Sequence, residues 1–307
     1  MIYTQNDLSK LILDTHAVSI WNRAKGPVFW YAANVPGPFY VNTEMVIGKA
    51  LSENLLREIT AIVAGTLDGQ ARAEQLERLI LEAYKKSLPW QRLIATMADR
   101  AHKEFPEGTY AYVSGGERRD WLFSIPYAHV IEIPHLYLFK NEPAFCKQPI
   151  KAGQKVLHVS DLINNAASFF DLWEPALQKA KLKCCGNLCV NVRGDNGLKR
   201  LREAGQKVVS LMTIDTEFFR RLHTTDLITR ETFEEIAVFF SSSQDWASKY
   251  LVDHPELFDV TDCNAKSFER LRFFISRDPW KLRPKHEAFF AEMQKEIDHR
   301  LKTSPIK

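Results

Sequence analysis

The sequence predicts an α/β fold, a parallel sheet flanked by helices, with an N-terminal helical region before it and a C-terminal helical extension after it. Three observations lead there. From residue 105 to about 215, short apolar runs alternate with helical patterns. Before and after that stretch, apolar residues recur at helical spacing. The 307 residues, 45% hydrophobic and 26% charged, bury a large core without a disulfide or metal staple. The expected divisions are therefore 1–104, 105–215 and 216–307. Formal net charge is +3, from 41 basic and 38 acidic residues. That balance argues against a nucleic-acid coat or a membrane-surface binder and leaves room for a local phosphate site.

Taken in order, Asp7 caps a first helix that carries Leu8, Leu11, Ile12 and Val18. The segment ahead of it has neither the basic nor the apolar stretch of a signal peptide. Val28–Tyr31 and Phe39–Val41 flank the turn signal Asn34-Val35-Pro36-Gly37-Pro38 and read as a hairpin. Leu55, Ile59, Ile62 and Val63 mark a helix. Leu76, Leu79, Ile80 and Tyr84 mark another, interrupted by Pro89.

The middle third gives strands at Tyr110–Val113, Leu136–Phe139, Val156–Val159, Cys184–Val192 and Val208–Met212. Helical patterns fall at about 119–131, 166–180 and 197–204. Parallel α/β sheets bind ligands at the carboxyl ends of their strands, so the loops there matter most. The loop Ser114–Asp120 holds Gly115 and Gly116, which permit close approach by an anion, and the cationic forks Arg118 and Arg119. A plain turn with solvated charges fits it equally well. Ser160–Ser168 opens a helix and suits a phosphate cradle with Asp161 beside it. Simple capping by Asn164 or Asn165 is the plainer alternative. Asn191–Gly197 aims Arg193 at the same crest, or else forms a surface turn.

In the last third, Pro284 suits the first turn of a final helix carrying Phe289, Met293, Ile297 and Leu301. That extension reads as packing or dimerisation surface. No apolar run reaches the ~18 residues of a membrane span. Dinucleotide, P-loop and zinc-protease motifs are absent. The five cysteines form no Cys-x-x-Cys pair, and Cys184, Cys185 and Cys189 lack zinc spacing, so they read as reduced thiols of a cytoplasmic protein.

Several segments, in order, resemble the type I phosphoribosyltransferases, and orotate phosphoribosyltransferase in particular. VLHVSDLINNAAS, Val156–Ser168, is similar to the family's ribose-phosphate motif. NVRGDNGLKRLREAGQKVVSLMTI, Asn191–Ile214, follows the layout of the next strand, loop, helix and strand. PHLYLFK, Pro134–Lys140, resembles the strand that delivers an Arg-Lys pair. SGGERRDWLFSIPYA, Ser114–Ala128, stands where the family has its pyrophosphate loop, and PGPFYVN, Pro36–Asn42, resembles the hood over the base.

The resemblance implies a type I phosphoribosyltransferase fold and roles for individual residues. Asp161 would hold the ribose, directly or through magnesium bound to phosphoribosyl pyrophosphate (PRPP). Asn164, Asn165, Ala166, Ala167 and Ser168 would wrap the 5′-phosphate. Gly115, Gly116, Arg118, Arg119 and Lys140 would meet pyrophosphate, with Lys140 and Asp161 in the catalytic positions. Arg193 and Tyr40 would meet the base. The family also implies a homodimer.

The departures are specific. Ser160 replaces the first acidic residue, Asn164-Asn165-Ala166 replaces Thr-Thr-Gly, and Phe139 replaces the arginine of the pair. The loop after Lys140 is short, lacks histidine, and carries only Lys147 before Lys151; Ala32 falls near the expected hood lysine. Phosphoribosyl transfer needs its leaving-group charge neutralised and water excluded, which a cationic lid supplies. Two functions follow: transfer of ribose 5-phosphate from PRPP to a pyrimidine-like base, or a nucleotide- or PRPP-sensing or protein-interaction module without turnover.

Overall fold

Thr4, not Asp7, opens the first helix. A computed structural model describes residues 2–22, 26–261 and 263–303. In it α1 (Gln5–Asp14) starts with a reciprocal cap: the Asp7 amide donates to Thr4 Oγ1 at 3.2 Å, and the Thr4 amide donates to the Asp7 carboxylate at 2.9 Å. Asp7 thus sits one turn inside the helix, and two otherwise unpaired donors are satisfied together.

The predicted hairpin pairs differently from expectation. β1 (Val18–Ile20) pairs antiparallel with β4 (Phe39–Val41), while β2 (Phe29–Trp30) pairs antiparallel with β3 (Pro36–Gly37). The reversal closes early, where the Asn34 amide donates to Tyr31 O at 3.0 Å and Asn34 takes a left-handed φ of 59°. That puts Pro36–Gly37 opposite Phe29–Trp30 and leaves Phe39–Val41 for Val18–Ile20.

A short 3₁₀ helix, Thr43–Ile47, leads into α2 (Lys49–Ala64), α3 (Gly69–Lys85) and α4 (Leu88–Glu104). Pro89 begins α4 rather than interrupting its predecessor, because a first-turn proline lacks only a donor that would be unpaired anyway.

The sheet holds β5 (Tyr112–Gly116), β6 (His135–Leu138), β7 (Phe145–Cys146), β8 (Lys155–Ile163), β9 (Lys183–Arg193) and β10 (Val208–Ile214). Its order is β10-β9-β8-β5-β6-β7, parallel except for the edge strand β7. Each predicted strand is present. The crossovers are α5 (Trp121–Val130), a π-helical turn Phe169–Trp173 running into α6 (Glu174–Lys179), and α7 (Asn196–Glu203). Leu136, Leu138, Val156, Cys189 and Val192 form the apolar body against Leu177 and Leu201. The loops after β5, β6, β8 and β9 therefore open at one end of the sheet.

The chain clusters into two compact units. One holds the residues through Ala17 and Asn42–Asp215; the other holds Val18–Val41 and the residues from Thr216 onward. The Val18–Val41 segment, adjacent in sequence to the N-terminal helices, clusters instead with the C-terminal ones. There α8 (Thr216–Thr224), α9 (Arg230–Ser241), α10 (Ser243–Tyr250), α11 (Ala265–Arg277) and α12 (Glu287–Thr303) surround an aromatic core that includes Trp30, Trp246, Phe258 and Phe274. Phe289, Met293 and Ile297 are buried there, whereas Leu301 is exposed. Pro284 lies in a turn ahead of α12, where Asp278 accepts the Leu282 and Arg283 amides at 2.8 and 2.9 Å.

The five cysteines are unpaired, and among the described residues no three His, Cys, Asp or Glu side chains gather as a metal site. Among the same residues, no helix is long and apolar enough to cross a membrane.

Candidate functional site

The end of β5 is closed tightly. A Cβ on Gly115 would fall 2.0 Å from Ser124 Oγ, and one on Gly116 would fall 2.2 Å from the Trp173 ring. These glycines exist for packing. The Gly116 amide, expected to face an anion, donates instead to Asp120 Oδ2 at 3.0 Å, and the Glu117 amide to Leu138 O at 3.0 Å. Neither glycine lines the cavity described below.

Asp120 links two strand ends. Its other oxygen accepts the Asp161 amide at 3.1 Å. Asp161 in turn accepts the Leu162 amide at 2.7 Å. Burial raises the pKa of both carboxyls, and the charge of Asp161 raises that of Asp120 further. Asp161 is pushed up to about 6 by desolvation, against the pull of Arg119, and Asp120 well above the usual carboxylate range, so the pair retains a proton in mildly acidic solution. His158 lies 3.9 Å from Asp120 Oδ2 and 3.0 Å from Ser114 Oγ. Burial holds it at about 3, so it is a neutral hydrogen-bonding group rather than an ion-pair partner.

The 164–168 loop turns at Ala166, whose φ of 57° is left-handed. Alanine thus adopts the geometry for which the family's glycine is suited. Asn165 Oδ1 accepts the Ala167 amide at 3.1 Å, and Asn164 O accepts the Gly197 amide at 2.9 Å. The helix that follows leaves further first-turn amides without intrahelical acceptors.

Cations approach from the other loops. Arg119 Nε pairs with Glu44 Oε1 at 3.1 Å, Arg118 bonds Thr60, and the Lys140 backbone amide donates to the Glu117 carboxylate at 3.1 Å. Where the resemblance expects an arginine, Phe139 is buried, and the Arg72 guanidinium lies 4.3 Å above its ring while bound to Glu142.

A cavity of about 410 Å³ brings these groups together. Arg118, Arg119 and Lys140 line it beside Asp161 and the whole run Asn164–Ser168. Arg193, at the end of β9, does not line it. Tyr40 belongs to the other unit, with its ring 5.9 Å from Phe29 and 6.4 Å from Tyr31. The sequence reading missed Glu117, Asp120 and His158, which also line the cavity. Asp120 had a signal, standing four residues past the strand's glycines; His158, inside an apolar run, had none.

No family model matches the chain, and no curated protein matches it in sequence. Solved structures match it in fold. UMP synthase of Leishmania donovani superposes with a TM-score of 0.51 at 12% identity, covering 78% of this chain and 42% of that one. The chain thus spans less than half of that protein's length. Orotate phosphoribosyltransferases of Francisella tularensis (TM-score 0.49, 11% identity, 75% of this chain and 95% of that one) and Aeropyrum pernix (0.46, 13%, 70% and 98%) also match. The mostly parallel sheet and its flanking helices therefore share the fold of the UMP synthase, the type I phosphoribosyltransferase fold.

Proposed function

We propose that this cavity binds a 5-phosphoribosyl compound, PRPP or a nucleotide. The observation that carries the reading is the convergence of Arg118, Arg119 and Lys140 with the 164–168 loop and Asp161 on one polar cavity. Three cations suit a diphosphate, helix-start amides suit a 5′-phosphate, and a half-buried carboxyl suits ribose hydroxyls. In this reading Asp161 orients the ribose and Lys140 neutralises charge on the departing diphosphate. Ribose 5-phosphate would then pass from PRPP to a pyrimidine-like base.

Magnesium enters the reading with the ligand. The protein's own groups do not build a cage for it, since Asp120 already accepts amides on both oxygens. The ion would lend charge neutralisation to the diphosphate, near Asp161. A homodimer in the cytoplasm completes the proposal.

A second reading, binding without turnover, rests on the loop after Lys140. Its Lys147 is tied to Glu77, so the cation expected of a mobile lid is already engaged. Isothermal titration of PRPP with and without magnesium tests the common part. Magnesium-dependent binding lost in Asp161→Ala supports the site; no binding of PRPP or ribose 5-phosphate overturns it. Ligand at 100 times its dissociation constant should stabilise the fold by about 2.7 kcal/mol, which thermal unfolding reads independently. Turnover with any base in an acceptor screen decides for the enzyme over the sensor.

A further inference from the structure

A second cavity lies at the other end of the sheet. Tyr110 and Ile133 precede β5 and β6, so they stand at the amino ends of strands whose carboxyl ends meet the candidate site. With Phe105, Tyr127 and Ile131 they line a space of about 190 Å³, and His102 and Glu107 stand exposed at its mouth. The Phe105 and Tyr110 rings lie 6.4 Å apart at 82°, two walls near a right angle. Tyr110 and Tyr127 join hydroxyl to hydroxyl at 3.0 Å, which fixes the third ring beside them. Phe105 and Tyr127 are 4% and 1% exposed, so core packing holds both walls in place.

The pocket favours positive charge. α4 and α5 both end on it, and the carboxyl end of a helix carries partial negative charge. Aromatic faces are negative as well. Among the described residues, the nearby lysines are engaged, Lys103 with Asp99 at 2.7 Å and Lys207 with Glu104 at 2.7 Å, while Glu107 pairs with no cation. Lys207 lies 5.4 Å from the Phe105 centroid; among the same residues no cation faces Tyr110 or Tyr127. We propose that this pocket binds a small quaternary ammonium compound, held by cation–π contact with its aromatic walls and by the charge of Glu107. Two of the last carbonyls of α5 already accept the Ile131 and Ile133 amides at 3.1 Å each, which leaves few acceptors for a bare ammonium. A fully alkylated cation needs none. The space is smaller than the roughly 300 Å³ at which pockets for drug-sized ligands begin, so it suits a single head group. None of these residues lines the phosphoribosyl cavity, so the two readings stand or fall separately.

The test is isothermal titration of the full chain with choline and with 3,3-dimethylbutan-1-ol, which has the same shape without the charge. Choline should bind about tenfold or more tightly than the neutral alcohol, the ratio expected of a cation desolvated against aromatic faces. Tyr110→Leu removes one wall and should weaken choline about tenfold, whereas Tyr110→Phe keeps the ring and should bind it as the wild type does. Glu107→Gln, at an exposed position, should weaken choline about threefold and leave the alcohol unchanged. Thermal unfolding checks that Tyr110→Leu is folded; if it is not, Glu107→Gln and the choline-to-alcohol ratio decide. No binding of choline, equal binding of the two compounds, or a choline affinity unmoved by Glu107→Gln and by a folded Tyr110→Leu overturns the proposal.

Discussion

Gly197 offers a direct way to disturb the candidate site from outside it. It is buried at the start of α7, and its amide donates to Asn164 O at 2.9 Å. A Cβ there would stand 2.4 Å from that oxygen and 2.7 Å from Ile163 Cγ2. Normal van der Waals contact needs about 1 Å more, and the nearest atom is backbone, so the 164–168 loop itself must retreat. Overpacking of this kind costs about 1–3 kcal/mol. Alanine regains about 0.5–1 kcal/mol over glycine within a helix. Gly197→Ala should therefore lose about 1 kcal/mol net, read as a lower urea midpoint at unchanged slope. The displaced loop should also bind PRPP about tenfold or more weakly, because errors of that size are costly in a preorganised site. Lys199→Ala, on the exposed face of the same helix, should stay within about 0.5 kcal/mol of wild type. A Gly197→Ala protein with wild-type stability and affinity would refute the idea that this close approach positions the loop.

Three other outcomes follow from the same geometry. The folded state holds the Asp161 proton more tightly than the unfolded chain does, with a folded value of about 6. Stability should thus fall as pH rises from about 4 through 6 and level off above, and Asp161→Asn should reduce that slope in urea titrations across the window. Asp120→Asn keeps one acceptor and turns an NH₂ toward the other amide, costing about 1–3 kcal/mol, and faster exchange of the Gly116 and Asp161 amide hydrogens would show it. Arg100 donates to the Ser210 and Leu211 carbonyls at 3.0 and 2.6 Å, so Arg100→Ala should cost about 1.5–3 kcal/mol in urea unfolding and leave PRPP affinity unchanged.

Much of the architecture was legible because it is written in apolar runs. Val156–Val159 and Cys184–Val192 announce buried strands on their own. What escaped is what depends on neighbours. β8 extends past its apolar run to Ile163, since Ser160, Leu162 and Ile163 continue the ladder while Ser160 and Asp161 line the cavity. The edge strand β7 is two residues long and has no pattern to detect. The Asp120 link and the Ser114–His158 contact exist only because β5 lies beside β8, with Ser114 opposite His158. Residue types pointed to the 164–168 loop; pairing order placed the groups around it.

The two proposed readings, binding with and without turnover, make different demands on the charges around the cavity. Nearby side chains already satisfy several backbone amides around the cavity: Asn165 takes that of Ala167, Asp120 those of Gly116 and Asp161, and Asp161 that of Leu162. A phosphate seeking the Ala167 amide must displace the Asn165 carboxamide, so its net gain is one bond exchanged for another. Exposed Arg118 and Arg119 still supply charge-assisted contacts that the neutral carboxamide cannot match, and those favour the anion. Cations beyond them are less available for a departing diphosphate. Lys147 is held by Glu77, and Arg72 is held by Glu142 above the Phe139 ring. If the cavity binds a phosphoribosyl compound as proposed, these engaged cations favour recognition over the charge development of transfer.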